Sequence, residues 1–416
     1  MNELTISSGG MEDGAIHTAP AALSIHKYLP MAVLYFFLNS AGLPTGLFYT
    51  TILSPLFFLW LYLEGRRWLT LKFLVCLSPF VVAHFLLGIE SPLYYVRSSV
   101  LLWTVYVTVH ALYWALLKCR NIERLFEQLI VLNFCAAMAA VALIFTPLQN
   151  LLWHDDSQTL AGPGRVLRLQ LLTSEPSVYA NLMSPLLIFT FLRLVQTPSK
   201  RNGLYVAMIA IPFLLCQSFG GLAMSVAGLG IALFAMFRSL LYQRKALSIF
   251  ALAMILIAGL LIVPNPISQR VFQVAVGSDS STYSRTTFSF IVAYTVAASK
   301  SLWWGVGLGQ GKLVDVSDLG LGFSIGIIPN AIAGTFAELG IIAVLIKFVM
   351  EFYLFFRMRV YTNTFRLAMF VIAFIVQLTG SHLMNVQEYL MWCFAFAPFF
   401  PAMNLHKYHR SKIAHA

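Results

Sequence analysis

Three arginines and two glutamates stand out in a chain otherwise built of apolar runs. Arg165 and Arg168 lie in Gly162-Pro-Gly-Arg-Val-Leu-Arg168, between Trp153-His-Asp-Asp156 and Ser174-Glu-Pro-Ser177. A helical turn would put both guanidiniums on one face, and paired guanidiniums hold phosphate oxygens through forked, charge-assisted hydrogen bonds. Glu175 opens an apolar run, where the helix dipole favours a carboxylate; the plainer alternative is a capped helix with an Arg168–Glu175 ion pair. Arg285, in Tyr283-Ser-Arg-Thr286, is the third cation, and its plainer role is to snorkel to lipid headgroups. Glu338 falls inside an apolar run, where a carboxylate is costly and faces the bundle interior or a wet cavity; a buried structural partner would explain it equally.

Weaker candidates surround these. Asp315 and Asp318 precede the Glu338 run and read as either site acids or solvated loop carboxylates. Gln217 and Ser218 adjoin Gly220-Gly221 and either face a cavity or cap a helix. His84 and His110 lie in apolar runs and read as hydrogen-bonded core residues, while His382 and Glu388 can line the same outer cavity. Gly305-Val-Gly-Leu-Gly309 has neither the preceding strand nor the surrounding βαβ unit that a dinucleotide fingerprint needs, so its glycines serve tight backbone turns. The five cysteines show no CxxC or Cys/His spacing, so neither a disulfide framework nor a metal site is indicated.

The elements that must position these groups follow from composition. Hydrophobic residues make up 59% of the 416 and charged ones 10%, with a mean hydropathy of +0.80. Soluble domains are about half apolar and a quarter charged. Repeated apolar runs of about 18 residues or more indicate membrane-spanning helices, so the expected class is an all-α polytopic transmembrane bundle. The net charge of +11 belongs to the cytoplasmic flanks of spans rather than to a nucleic-acid surface. The polar tail 1–27 lacks the layout of a cleaved signal peptide, so the first span is expected to be retained.

Expected spans are Tyr28–Leu43, Leu47–Leu63, Leu71–Gly88, Ser98–Leu117, Leu125–Gln149, Pro176–Val195, Leu204–Ser218, Leu222–Phe237 and Ala246–Val263. The run Thr286–Ser299 is ambiguous, because a helix of that length covers roughly 21 Å against a hydrocarbon core of about 30 Å. If it is left out, Ile332–Met350, Leu367–Thr379 and Tyr389–Met403 complete twelve spans with both termini cytoplasmic. Basic clusters at Arg66–Lys72, Lys118–Arg124, Arg193–Arg201, Arg238–Lys245, Arg357–Arg366 and Lys407–Lys412 then share one side, joined by Lys27 and Lys347. Counting 286–299 as a span would move the last two clusters outside, so it is expected to lie in, or re-enter, the outer interface. Only Arg97, Arg165, Arg168, Arg270, Arg285, Lys300 and Lys312 remain outward. The expected plan is a tail 1–27, one membrane domain 28–405 with outer loops 150–175 and 264–328, and a tail 406–416.

Four pieces in order resemble one family: Arg168…Glu175-Pro-Ser-Val-Tyr-Ala180; Gln217-Ser-Phe-Gly-Gly221; Ser284-Arg285 with Gly305-Val-Gly-Leu-Gly309; and Pro329-Asn-Ala…Ala337-Glu-Leu-Gly-Ile-Ile342. Across 150–350 the chain resembles the Wzy-type polysaccharide polymerases and related O-antigen ligases, membrane glycosyltransferases with a GT-C type of fold. The resemblance implies a bacterial inner-membrane enzyme with its site facing the periplasm. It implies no metal and no nucleotide-sugar cofactor, donor and acceptor glycans carried on undecaprenyl diphosphate, and sometimes a partner protein that regulates chain length. O-antigen or exopolysaccharide would be the product. Arg285, Arg168 and Arg165 would bind the diphosphate, with Asp315, Asn330 and Gln217 lining the sugar site. Glu338 or Glu175 would take the acceptor proton, with Asp315 a weaker choice. Ligases usually have His-Asn where this chain has Pro329-Asn330, so transfer to lipid A–core is the secondary expectation and a lipid-linked oligosaccharide flippase the competing one.

Overall fold

Polar caps on apolar runs set the helix boundaries. Asn121, Ser199, Asn330, Asn363 and Asn385 each accept a backbone N–H from the first turn they precede, satisfying donors a helix start leaves open. Pro92 and Pro176 occupy first helical positions, where a missing N–H is no loss. A computed structural model describes residues 25–32, 49–119, 121–155, 167–241, 248, 259, 266–314, 328–380 and 382–405. Most of the first and ninth expected spans, residues 1–24 of the first tail, the tail 406–416, Arg165, Asp315 and Asp318 lie outside them.

The described chain is mostly helical. Its elements begin with α1 (Ile25–Ala32), α2 (Tyr49–Leu63), α3 (Arg67–Leu86), α4 (Pro92–Lys118), α5 (Ile122–Ala142) and the short α6 (Gln149–Leu152). Strands β1 (Trp153–Asp155) and β2 (Leu167–Leu169) follow, then α7 (Pro176–Gln196), α8 (Lys200–Leu215) and α9 (Phe219–Leu241). After these come α10 (Pro266–Ala275), α11 (Ser280–Tyr283), a π-turn (Ser284–Phe288), α12 (Ser289–Ala298), α13 (Ala331–Arg357), α14 (Thr364–Thr379) and α15 (Val386–Phe396). Five helices are long and apolar enough to cross a membrane: α4, α5, α7, α9 and α13; shorter apolar ones include Thr50–Leu63, Leu71–Leu86 and Thr364–Thr379. An aromatic cluster of Phe126, Phe189, Phe365, Phe394 and Phe400 ties α5, α7, α14 and α15 together.

One expectation fails at Arg168. It lies on a strand, not a helical turn, because β1 and β2 pair antiparallel with His154 opposite Arg168. Side chains on a strand alternate between faces, so the three-residue helical spacing to Arg165 does not orient it.

The largest departure is the expected straight span over 332–350. Gly340 sits inside α13 at φ 76° and ψ −179°, outside helical geometry. Asn330 Nδ2 donates to the Leu378 carbonyl (2.7 Å) while Glu351 accepts from Gln377 (3.1 Å). A straight helix would hold positions 330 and 351 about 31 Å apart, yet both touch consecutive residues of α14. Helix α13 is therefore two arms bent sharply at Gly340.

Bending a helix exposes backbone polar groups, and leaving them unpaired in an apolar setting is costly. The glycine segment 301–309 pairs them. Val306 and Gly307 donate to the carbonyls of Ala337 and Glu338, both at 3.0 Å, and Ile341 donates to Leu302 at 3.0 Å. Such close approach requires glycine on both sides. A Cβ on Gly305 (φ 72°) would lie 2.5 Å from the Glu338 backbone, and one on Gly340 would collide with the Trp303 carbonyl.

The segment is latched in turn to the α3–α4 hairpin. His84 Nε2 donates to the Trp304 carbonyl (2.8 Å), which leaves Nδ1 to accept from Tyr95 Oη (2.9 Å). The Gln310 amide exchanges two 2.9 Å hydrogen bonds with the Ser91 backbone. Lys300 reaches the Gly88 carbonyl (2.9 Å) and Glu90 (3.0 Å).

Helix α12 follows the first arm of α13. Asn330 bonds the Arg285 carbonyl at one end, Ile341 meets Leu302 at the other, and Val292 and Val296 pack against Ala333 and Ala337 between. Lys347, counted above with the inward flanks, lies instead in the second arm and pairs with Glu388 and Glu351. It is a half-buried residue held in an ion pair.

Candidate functional site

Three ends meet where α14 stops: the start of α7, the π-turn, and the turn between α14 and α15. Asn330 builds the joint. Its Oδ1 caps α13 at Ala333 N (2.9 Å) while its Nδ2 ties the Arg285 carbonyl (3.0 Å) to the Leu378 carbonyl (2.7 Å). Asn330 is fully buried, so what sequence suggested as a sugar ligand is a structural clamp in this arrangement. The Arg285 guanidinium lies against Gly380, where an added Cβ would sit 3.7 Å from its nitrogen. A π-turn widens the helix by one residue and is frequent at functional sites; here it presents Arg285 toward the α14–α15 turn.

His382 stands two residues beyond Gly380 and is half-buried. Burial pushes its imidazole below the ordinary value, while the carboxylates of Glu388 and then Glu175 pull it up. Glu175 thus reaches this turn from the start of α7. Its side chain is exposed and accepts a hydrogen bond from Ser177 Oγ. Arg285, His382 and Glu175 therefore share one corner at the end of α14. Sequence reasoning placed His382 only loosely, because the turn that brings it to Glu175 is a tertiary contact that spacing does not reveal.

Arg168 approaches from the neighbouring hairpin. Its Nε donates to the Cys216 carbonyl (3.2 Å) at the end of α8, a favourable place for a cation. Gln217 follows with φ 45°, half-buried beside it. Under this hairpin an apolar cavity of about 330 Å³ opens between α5, α6 and α7, lined by Ala136, Leu143, Leu152, Leu172, Tyr179 and Met183 among others.

Glu338 stands apart. Its carboxylate accepts the Gly309 N–H and faces the charge of Lys312, on the side of the latched glycine segment. Among the described residues no hydrogen bond or ion pair joins it to Arg285. Its Oε2 is buried with no hydrogen-bond partner among the described residues. His84, read as a core residue, is one in this structure, and both its nitrogens are bonded. No three His, Cys, Asp or Glu side chains among the described residues gather as a metal ion would require. Compared with models of known protein families and with curated proteins, the chain matches none.

Proposed function

We propose that this chain is a Wzy-like polymerase of GT-C type. It would transfer a growing glycan from polyprenyl diphosphate onto a lipid-linked repeat unit at the outer face of a bacterial inner membrane. The observation that carries the reading is the corner formed by Arg285, His382 and Glu175, with Arg168 on the adjoining hairpin: cations to meet a diphosphate beside groups able to accept a proton. Twelve spans, with α11–α12 lying in the outer interface, complete the architecture. The apolar cavity between α5, α6 and α7 suits the first part of a lipid tail.

In this reading the acceptor hydroxyl oxygen attacks the anomeric carbon of the donor. A new glycosidic bond forms as the carbon–oxygen bond to diphosphate breaks, and the bonding electron pair leaves on the phosphate oxygen. Arg285 and Arg168 stabilise that growing charge, which is what speeds the step, since only interactions stronger in the transition state do so. The hydroxyl proton passes to Glu175 or His382. Pro329 stands where ligases carry histidine, which favours polymerase over ligase; His382 supplies an imidazole from a different element.

Purified protein supplied with lipid-diphosphate oligosaccharide tests this directly. New glycosidic bonds are expected, and Arg285→Ala and Arg168→Ala are each expected to slow their formation roughly a hundredfold to a thousandfold. Lysine at either position should restore only part, because a point charge lacks the fork. Normal product length and yield in both alanine variants, at normal protein levels, sinks the mechanism. One observation favours the flippase reading: Lys347, Glu351 and Glu388 lie among the helices rather than at the outer corner. Movement of the lipid-linked sugar across the bilayer without new bonds would select it.

A further inference from the structure

A set of cations used by none of the steps above lies at the far end of α4. That helix starts at Pro92, next to the Ser91 latch, and its last residue, Lys118, stands about 39 Å from its first. The turn after α2 meets it there. The Arg66 guanidinium carbon lies 3.6 Å from the centroid of the Trp114 ring, and Lys118 Nζ lies 5.0 Å from the same centroid. Lys118 also donates to Glu64. All three charged side chains are half-buried.

At 3.6 Å the guanidinium must lie nearly flat on the indole, as two planar groups in contact do. Its N–H donors lie in its own plane, so they point sideways, off the ring. Among the described residues the Arg66 side chain makes no hydrogen bond and no ion pair. Trp114 Nε1 has no hydrogen-bond partner either, so the ring serves by its face, as a platform. Arg66 is also the N-cap residue of α3, and an arginine has no acceptor with which to cap the first-turn N–H groups. A fork of free donors is thus held in one orientation, beside an ammonium and the positive end of a helix.

A cation needed only for topology has no fixed place: its stem lies along apolar surface and its head reaches water. Arg66 instead folds back onto a ring and keeps its donors free. Planar forks of this kind match phosphate oxygens in pairs. Leu63 and Leu117, which flank the cations in sequence, are exposed and give acyl chains an apolar surface to follow. Arg67, Lys72, Arg120 and Arg124 add basic character to the same two stretches of sequence. Basic pockets between helices on the cytoplasmic side are where anionic headgroups bind.

We propose that Arg66, Lys118 and Trp114 form a phosphate-binding site, filled by the headgroup of an anionic lipid. The Arg66 fork takes two phosphate oxygens, Lys118 adds a point charge, and Trp114 fixes the direction of the fork. Soluble phosphate shares this chemistry, and the exposed leucines favour the lipid as its source. The site stands independently of the polymerase reading, at the opposite end of α4 from the latch that supports the bent α13. A bound headgroup ties the turn after α2 and the start of α3 to the end of α4.

Melting of the delipidated full chain in neutral detergent tests this, with phosphatidylglycerol, phosphatidylcholine and inorganic phosphate added separately at fixed ionic strength. Phosphatidylglycerol is expected to raise the melting temperature saturably. Phosphatidylcholine, whose phosphate is already paired with its own choline, should do much less. Arg66→Gln should raise the phosphatidylglycerol concentration needed for half the effect roughly tenfold or more. Arg66→Lys should keep part of the affinity, because a point charge lacks the fork. Trp114→Leu, which removes the platform, should weaken binding too, whereas Arg201→Gln, outside the cluster, should not. Each variant is read against its own lipid-free protein, so basal stability does not enter, and native mass spectrometry counts the lipid retained. An equal phosphatidylglycerol response in wild type and Arg66→Gln overturns the proposal, as does an equal response to phosphatidylcholine. Protection by inorganic phosphate as strong as that by phosphatidylglycerol assigns the site to a soluble anion and overturns the lipid as its occupant.

Discussion

His382 is the group in the Arg285–Glu175 corner whose titration burial shifts. Burial lowers its pKa from the ordinary 6.5, the larger influence, against the pull of Glu388 and Glu175. A group whose folded pKa is depressed contributes stability that is fully present above its unfolded value and is lost as pH falls toward the folded one. Melting temperature is therefore expected to hold above about pH 6.5 and to decline below it, and His382→Gln should flatten that decline. An identical acid limb in both proteins would show that His382 does not govern it. Arg285 was legible from sequence because a cation outward of the spans needed a reason. Arg168 was legible in identity but not in geometry, since strand pairing with β1 replaced the helical turn. Asn330 was legible only as part of a motif: burial turned it from a ligand into a clamp between Arg285 and Leu378.

At the scale of elements, the broken helix decides most of the arrangement. Glycine at 340 takes a left-handed φ that other residues adopt at a cost of about 1–3 kcal/mol, and its close contact with Trp303 adds to that. Gly340→Ala is expected to lower the melting temperature clearly. Gly203→Ala is the matched control, since Gly203 lies in α8 with nothing within 4 Å of an added Cβ. It should leave the melting temperature unchanged or raise it, by up to about 1 kcal/mol of helix propensity. Equal effects would mean that the break is not what glycine is needed for. Hydropathy could not show this break, because both arms are apolar and the run reads as one span. The glycine spacing at 305, 307 and 309 did signal tight turns, but its partner, the bend at Gly340, lies some thirty residues on and meets it only in three dimensions.

For the whole molecule, apolar runs were enough to read the helical class and the rough place of most described helices, because hydropathy is local. The ends shifted by several residues, as at Pro92–Lys118 and Ile122–Ala142, because caps and prolines rather than hydropathy set them. The pairing of Lys347 with Glu388 was not legible, since it joins α13 to α15 across distant stretches of sequence. Sidedness remains a measurable consequence of the charge distribution. With exposed Cys76 and Cys135 replaced by alanine, Glu90→Cys should react with an impermeant maleimide on spheroplasts, and Arg124→Cys only after permeabilisation. The reverse pattern would invert the orientation. The bend in α13 also has a consequence for biogenesis. Residues 331–357 emerge from synthesis after the glycine segment, and as a lone apolar run they enter the membrane best as one straight rod, every backbone group paired within itself. Only after segment 301–309 offers its own carbonyls and amides can the rod fold at Gly340 without exposing bare peptide groups to lipid. An order in time is the expected consequence: insertion first, docking of a loop made earlier second, and only then the joint that brings Asn330 and Glu351 to the same end of α14.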